Sequence, residues 1–549
     1  MPFNLINEPW LPVVPTGGGE RRWVRPAEVA TAGDVEFAWG RADLNIATYE
    51  LLIGLLCVAF PPKDDDDWRE KLDTPPSIVD LDAAFAPLVP WFNLDGDGPR
   101  FMQDFEGFEG EEVVCDALFI DAPGANTLRN GSDLFVKQAR TPVLSRGAAA
   151  IALYTLQAFA PTGGAGHRTS MRGGGPLTTL VQLDPDNPLW KRIWVNVVSS
   201  GEPLPRLADS GPASGIFPWC APAMTSENGK AVEIGHAHPL QALFGMPRRI
   251  RLNSAADNTT ACAISVHVDS KAVVGFTTKN YGINYGESWS TPGWRHPLTA
   301  FYLPKSGAAE LPVHPRSSRL GYRQWAGLVY GHEDRNSDTG VGRGISANLL
   351  RVKNALRGRR HRSSVRAAGY VMDNMKVVDF LEAEVPLILA ADKDTQQELE
   401  TLAHRLVAAA DLVAGRLRGA LRDALGAGAD KTILEGPVES LWSETEQPFR
   451  DALGRIAAIE HADVDALDTA VKAECEAWVR VLRIAALDAF NRTVPAETLI
   501  NKRLSEQKAM IEARTGLVLM LAGKALRESL GLAPVQPKTK SKRGGRKAA

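Results

Sequence analysis

From Glu382 onward the sequence changes texture, and that change constrains the fold more than any other feature of the chain. Long apolar stretches there repeat with the 3.6-residue period of an α-helix, at about 394–425, 437–460, 464–492 and 496–530. Gly426–Gly428, Gly436-Pro437 and Val494-Pro495 mark breaks between them. Leu402, Leu406, Ala409, Leu412 and Leu417 follow one face of the first stretch. Four such helices joined by short links predict an antiparallel four-helix bundle. With 549 residues, too many for one core, the remainder needs a core of its own, so two or three domains are expected.

The first part of the chain is mixed. Residues 3–46 read as short strands punctuated by Pro9, Pro12, Pro15 and Gly17–Gly19. Leu44–Phe60 has helical apolar spacing and predicts a buried helix, and Ile193–Val198, Ala263–Val268 and Ala272–Thr277 read as strands. The fold class expected is therefore α+β: a large mixed N-terminal α/β domain over 1–378, a four-helix bundle over 379–535, and a disordered basic tail over 536–549. The four aspartates Asp64–Asp67 invite a two-metal reading, but consecutive side chains diverge and do not converge on one metal pair. They fit the acidic first turn of a helix instead.

The hydrophobic content of 44% is that of a globular protein, and the nearly uninterrupted apolar run Leu51–Phe60 is too short for a bilayer. No basic segment followed by an apolar core opens the chain, so a signal peptide is not expected. Five scattered cysteines suit reduced thiols in the cytoplasm. The net charge is −3, yet Lys538, Lys540, Lys542, Arg543, Arg546 and Lys547 put +6 on the tail and leave −9 on the rest. Any binding of nucleic acid must therefore use local basic patches.

The segment Ala160–Pro176, APTGGAGHRTSMRGGGP, holds six glycines, with His167, Arg168 and Arg172 and no acid. Such a loop exposes backbone N–H groups and lets the main chain approach a ligand without a Cβ in the way. The neighbouring cations suit a phosphate backbone. It lacks the Gly-Lys-Ser/Thr ending of a nucleotide-phosphate loop. On pattern alone, a plain hairpin with glycines at its turns is the equal alternative.

Other candidate sites lie along the chain. Pro123–Ser145 is a long polar loop in which Arg129, Lys137 and Arg140 accompany Asn126, Asn130 and Phe135, a mixture suited to backbone contacts and base stacking, or to a mobile surface loop. Arg351–Arg366 holds seven cations and no acid, with Arg359, Arg360 and Arg362 crowded around His361. It suits nucleic acid or, as the alternative, an acidic subunit. In Gly369–Lys376 the pair Asp373-Asn374 marks a tight turn, and Met375 and Lys376 set an apolar side chain beside a cation. His236 and His238 stand two apart without a Cys-x-x-Cys, so they read as structural.

Three stretches together resemble the large-subunit family of the type I-E Cascade complex, the CasA family: FNLINEPWLPV at Phe3–Val13, APTGGAGHRTSMRGGGPLTTLV from Ala160, and GYVMDNMKV at Gly369–Val377. The resemblance implies a non-enzymatic subunit of an RNA-guided CRISPR complex. Such a subunit binds the short protospacer-adjacent motif of duplex DNA, opens the duplex so that guide RNA can pair, and recruits the helicase-nuclease. It implies motif contacts from Gly163, Gly164, Ala165 and Gly166, from Lys279 as the nearest match to a family lysine, and from a hairpin tip at Asp373, Asn374 and Met375. Many family members carry Gln-Ala where this chain has Asn374-Met375. Nucleic-acid backbone contacts are assigned to Arg168, Arg172, Arg359, Arg360, Arg362 and Lys376, and contacts to the 5′ end of the guide RNA and neighbouring subunits to the loop with Asn126, Arg129, Phe135 and Lys137. Some family members hold zinc in a cysteine cluster; this sequence has no such cluster, so no metal or other cofactor is expected. The alternatives are a nucleic-acid-processing enzyme, for which no convergent acids or phosphate loop are found, and a scaffold binding only RNA and protein.

Overall fold

The structure is a computed structural model. It describes the chain except residues 1, 132–139, 164–165, 184–186, 199–214, 234, 291–294, 303, 305–308, 318–319, 332–344, 357–362, 427, 460–463 and 535–549. The chain forms two compact units, one of Met1–Leu320 with Gly327–Leu387 and one of Gly321–Ala326 with Ile388–Ala549.

In the first unit the strands are β1 (Leu11–Pro15), β2 (Arg22–Val24), β3 (Val35–Phe37), β4 (Glu111–Val114), β5 (Thr178–Leu183), β6 (Arg249–Ala255), β7 (Ala272–Lys279), β8 (Phe301–Tyr302), β9 (Leu311–Pro312), β10 (Ser363–Asp373) and β11 (Lys376–Leu387). They make small sheets in the orders β2-β1-β3, β11-β10-β5, β4-β7-β6 and β8-β9, and every pairing of these strands is antiparallel. The expected mixture of helix and strand is thus present, as α+β rather than as a parallel sheet.

The helix Ala42–Ala59 lies at the centre and is buried along nearly its whole length. Taken alone it is long and apolar enough to cross a membrane, but its surface is covered by the unit's own core. The four aspartates do open a helix, Asp65–Asp73, with the Asp64 side chain accepting the Asp67 N–H.

Two strand expectations fail. Ile193–Val198 begins inside the helix Leu189–Trp194, where Trp190 and Trp194 stack one turn apart at 5.0 Å. Asn196 then takes the place of a strand beside β5: its Oδ1 accepts the Val181 N–H at 2.7 Å and its Nδ2 donates to the Val181 carbonyl at 2.9 Å. Ala263–Val268 is a tight turn, closed by Cys262 N–H to His267 O at 2.8 Å.

The second unit is helical, with Lys393–Leu425, Lys431–Ala457, Val464–Thr493, Leu504–Leu521 and the short Lys524–Ser529. Leu399, Leu402, Leu406, Val413 and Leu417 bury one face of the first, and Trp478 of the third donates to Leu406 O at 3.0 Å. The break expected at Gly436-Pro437 does not occur. Proline deprives the residue four positions earlier of its hydrogen bond, and at Pro437 and Pro448 those residues are the exposed Ile433 and Glu444.

Candidate nucleic-acid interface

The glycine segment leaves the C-terminus of the helix Arg146–Phe159, which Ser145 caps by accepting the Ala148 N–H at 3.3 Å. Pro161 cannot extend that helix, and the chain turns out. It returns at once: Ser170 N–H donates to Ala160 O at 3.0 Å and Gly175 N–H to Phe159 O at 2.8 Å, while Gly163 N–H reaches His167 O at 3.2 Å across the tip. The described residues therefore divide into a tip, with Gly163, Gly166 and His167, and a foot, 170–176.

The foot glycines serve packing. A Cβ on Gly173 would lie 2.8 Å from His314 Nε2, one on Gly174 2.7 Å from Pro161 Cα, and one on Gly175 2.5 Å from Tyr370 O. Arg172, assigned from sequence to a phosphate, is only 3% exposed, and this assignment is corrected. Its Nη2 meets Glu50 Oε1 at 2.6 Å, and its Nη1 donates to Glu50 Oε2, Thr178 Oγ1 and Thr299 Oγ1 at 3.2, 3.1 and 3.1 Å. Buried guanidinium needs such saturation, so the residue pins the foot to the Ala42–Ala59 helix. Burial alone would raise the Glu50 carboxyl, but Arg172 and then His296 outweigh it and hold it at about 2.

The tip leans on the chain leaving β7. Gly166 has φ +84°, and a Cβ there would stand 2.7 Å from Asn280 Cβ; its carbonyl accepts the Tyr281 N–H at 3.1 Å. Lys279, the last residue of β7, is exposed, so the structure brings the predicted lysine next to the predicted glycine. Arg168 is half-buried and donates through Nε to Ser226 Oγ at 2.9 Å. Under the tip lies Arg248, which the sequence did not single out; its Nη2 donates to Pro161 O at 2.6 Å. Gly164 and Ala165 lie outside the described residues.

The foot runs straight into β5, and β5 pairs with β10 from Leu183↔Ser363 to Thr178↔Ala368. Beyond Ala368 the β10–β11 hairpin continues without β5, to Asp373 opposite Lys376. At about 3.3 Å per residue this is roughly 15–20 Å of two-stranded ribbon. Its turn is Asn374-Met375 with φ of +45° and +66°, the geometry of a two-residue turn that favours Asn-Gly. A methionine held there costs about 1 kcal/mol relative to glycine, and its side chain is 58% exposed. Asp373, Asn374 and Lys376 are exposed as well.

Other assignments are not gathered here. Phe135, Lys137, Arg359, Arg360, Arg362 and the basic tail lie outside the described residues, as does the side chain of Asn126; Arg129 is exposed at the end of a short helix, Ala125–Arg129. Three cations of the 351–366 run face inward. Arg351 lies over the Trp68 ring at 4.6 Å, Lys353 donates to Val329 O at 3.2 Å, and Arg366 donates to Glu382 at 2.7 Å. His236 and His238 accept backbone N–H groups of Glu233 and Leu240.

Comparison with known proteins follows the same outline. Residues 4–489 match the family model for CRISPR-associated protein Cse1 (CRISPR_cse1). The fold is similar to Thermobifida fusca Cse1, with 18% identity and a TM-score of 0.66 over 96% of this chain and 98% of that one. It is similar to Thermus thermophilus CasA (Cse1), with 17% identity and a TM-score of 0.65 over 94% and 100%. It also resembles a chain of a CRISPR RNA-guided surveillance complex, with 14% identity and a TM-score of 0.54 over 94% and 100%.

Proposed function

Because the chain belongs to the CRISPR-associated protein Cse1 family, we propose that it is the non-enzymatic large subunit of a type I-E CRISPR surveillance complex and reads the protospacer-adjacent motif in duplex DNA. The observation that carries this reading is the pairing of two devices in one folded unit. One is a glycine tip backed by Asn280 and flanked by Lys279; the other is a projecting hairpin that keeps Met375 at positive φ.

Each device has a physical role in that reading. A main chain without side chains can enter the minor groove, where base edges distinguish little more than A·T from G·C, so several related motifs are tolerated. Lys279 adds a cation at the phosphate wall. Unstacking a base step costs a few kcal/mol, and an apolar side chain inserted at the step offsets it; Met375 supplies that side chain and Asn374 an amide for exposed base edges. Guide RNA then pairs with the opened strand, which leaves the protein only the short motif to read.

In this reading the partners are the guide RNA, the neighbouring subunits, target DNA and a helicase-nuclease recruited from the cytoplasm, and the helical unit holds a separated strand. The likeness to a chain of a CRISPR RNA-guided surveillance complex supports the assembly. The test is a gel shift of the complex reconstituted with this chain, on duplexes differing only in the motif. Affinity should follow the motif. Equal affinity for every motif would leave a scaffold for RNA and protein, and cleavage by the purified chain with Mg²⁺ would make it an enzyme.

A further inference from the structure

Beneath the glycine tip lies a cation that has no counter-charge among the described residues. Arg248 precedes β6 and turns its guanidinium up under the tip, where Nη2 is held by Pro161 O at 2.6 Å. Among the described residues its enclosed Nε has no hydrogen-bond partner, and the enclosed Nδ1 of the neighbouring His167 has none either. Among the described residues no carboxylate pairs with Arg248. Glu111, which faces this corner from β4, acts on His167. Burial of the unpaired guanidinium lowers its pKa to about 10. Other enclosed arginines of this unit are paired: Arg172 with Glu50 and Arg192 with Asp34, each at 2.6 Å. A buried charge left alone is costly, and the cost is removed by an anion.

Gly163 shows where an anion enters. Unlike Gly166, its φ lies outside the left-handed region, so the backbone does not demand glycine there. What a side chain would meet is the guanidinium and its neighbour: a Cβ on Gly163 would sit 3.3 Å from Nη1 and Nη2 of Arg248 and 3.3 Å from His167 Cβ. The missing side chain is thus an opening over the two terminal nitrogens, and a planar fork of N–H donors suits phosphate oxygens.

We propose that Arg248 binds a backbone phosphate of the target duplex through the opening that Gly163 leaves in the tip. This rests on the reading of the tip as the duplex-contacting element. It gives that element an anchor: the phosphate fixes register, while the glycine backbone meets the base edges.

The test uses the reconstituted complex and duplexes in which single phosphates flanking the motif are replaced by neutral methylphosphonates. For the wild type, one such replacement should weaken binding about tenfold, the size of a charge-assisted hydrogen bond. Arg248→Gln should lose about as much on the unmodified duplex, lose nothing more at that one phosphate, and lower the slope of log affinity against log salt by about 1. Arg248→Lys should keep the slope. Gly163→Ala, which leaves Arg248 in place, should lose sensitivity at the same phosphate, and it serves if Arg248→Gln does not assemble.

Wild-type affinity for Arg248→Gln overturns the proposal. So does a loss with an unchanged slope that adds to every methylphosphonate penalty, because Arg248 then only supports the loop. Weakened assembly with guide RNA, with duplex binding unchanged, would assign the phosphate to the RNA and overturn it too. A wild-type complex indifferent to the motif is a separate result, visible without any variant, and it removes the functional reading itself.

Discussion

Gly175 and the carbonyl of Tyr370 share one corner of the molecule: a Cβ at 175 would stand 2.5 Å from that oxygen, and the glycine's φ of +67° disfavours any side chain as well. The foot of the glycine segment and the strand of the projecting hairpin are therefore locked by close backbone approach. Gly175→Ala should destabilise the protein by about 2–4 kcal/mol, from positive φ plus overpacking. Gly163→Ala, without the φ penalty, should cost under about 1 kcal/mol. Thermal unfolding of both variants checks the contrast, and equal melting temperatures would refute it.

Glu50→Gln should cost about 3–5 kcal/mol, because it leaves the Arg172 guanidinium buried without its counter-charge. The pH dependence has a fixed sign. Glu50 is held at about 2, below its ordinary value near 4.5, so its contribution is complete above pH 4.5 and is lost as pH falls toward 2. The variant should lack that part of the acid-denaturation profile. Denaturant titrations of both proteins between pH 5 and 2.5 measure it.

His296 acts in the next pH window. Burial, and then the charge of Arg172, push it down to about 4 from an ordinary 6.5. The unfolded chain therefore takes up the proton first, and the folded state loses stability as pH falls from 6.5 to 4. The loss is on the order of 2–3 kcal/mol. Against His296→Asn, the advantage of the wild type should shrink across that window and be flat above pH 7. A constant difference would show that the ring is not neutral at its site.

Asn374→Ala with Met375→Gly should leave motif binding nearly intact and slow strand opening. Glycine relieves the turn at φ +66° and offsets the strain that alanine takes on at φ +45°, so misfolding is not expected to confuse the result. A target already unpaired beside the motif should bypass the defect, because its unstacking is done beforehand. R-loop formation on duplex and on bubble DNA reads this out, and equal loss on both would make the tip a binding contact rather than a wedge.

What was legible in the sequence was local. Helical periodicity marked the helices of the second unit to within a few residues at most ends, and Asp373-Asn374 marked a turn that is there. The role of Arg172 was illegible because its partner Glu50 lies 122 residues away. The signal was nevertheless present: a single glutamate inside the apolar run Leu44–Phe60 must be answered by a buried cation. Arg248 gave less, since an arginine before a strand is ordinary until a glycine is found above it. The continuation through Pro437 was hidden because the cost of proline depends on whether the residue four positions earlier is exposed, as Ile433 is, which only the packing decides.

The hairpin also has a mechanical meaning. Held by β5 only as far as Ala368, it is a cantilever seated at two points: Val371 is buried in the core with Leu177 and Leu381, and the Tyr370 hydroxyl donates to Asp43 Oδ2 at 2.6 Å, itself paired with Arg41 at 2.7 Å. Force applied at Met375 is thus delivered to the core around Val371, to the Tyr370 phenol and to the helix behind it. The stiffness of the tip is set at that clamp, so loosening Tyr370 would let the arm bend under a base stack that it otherwise parts.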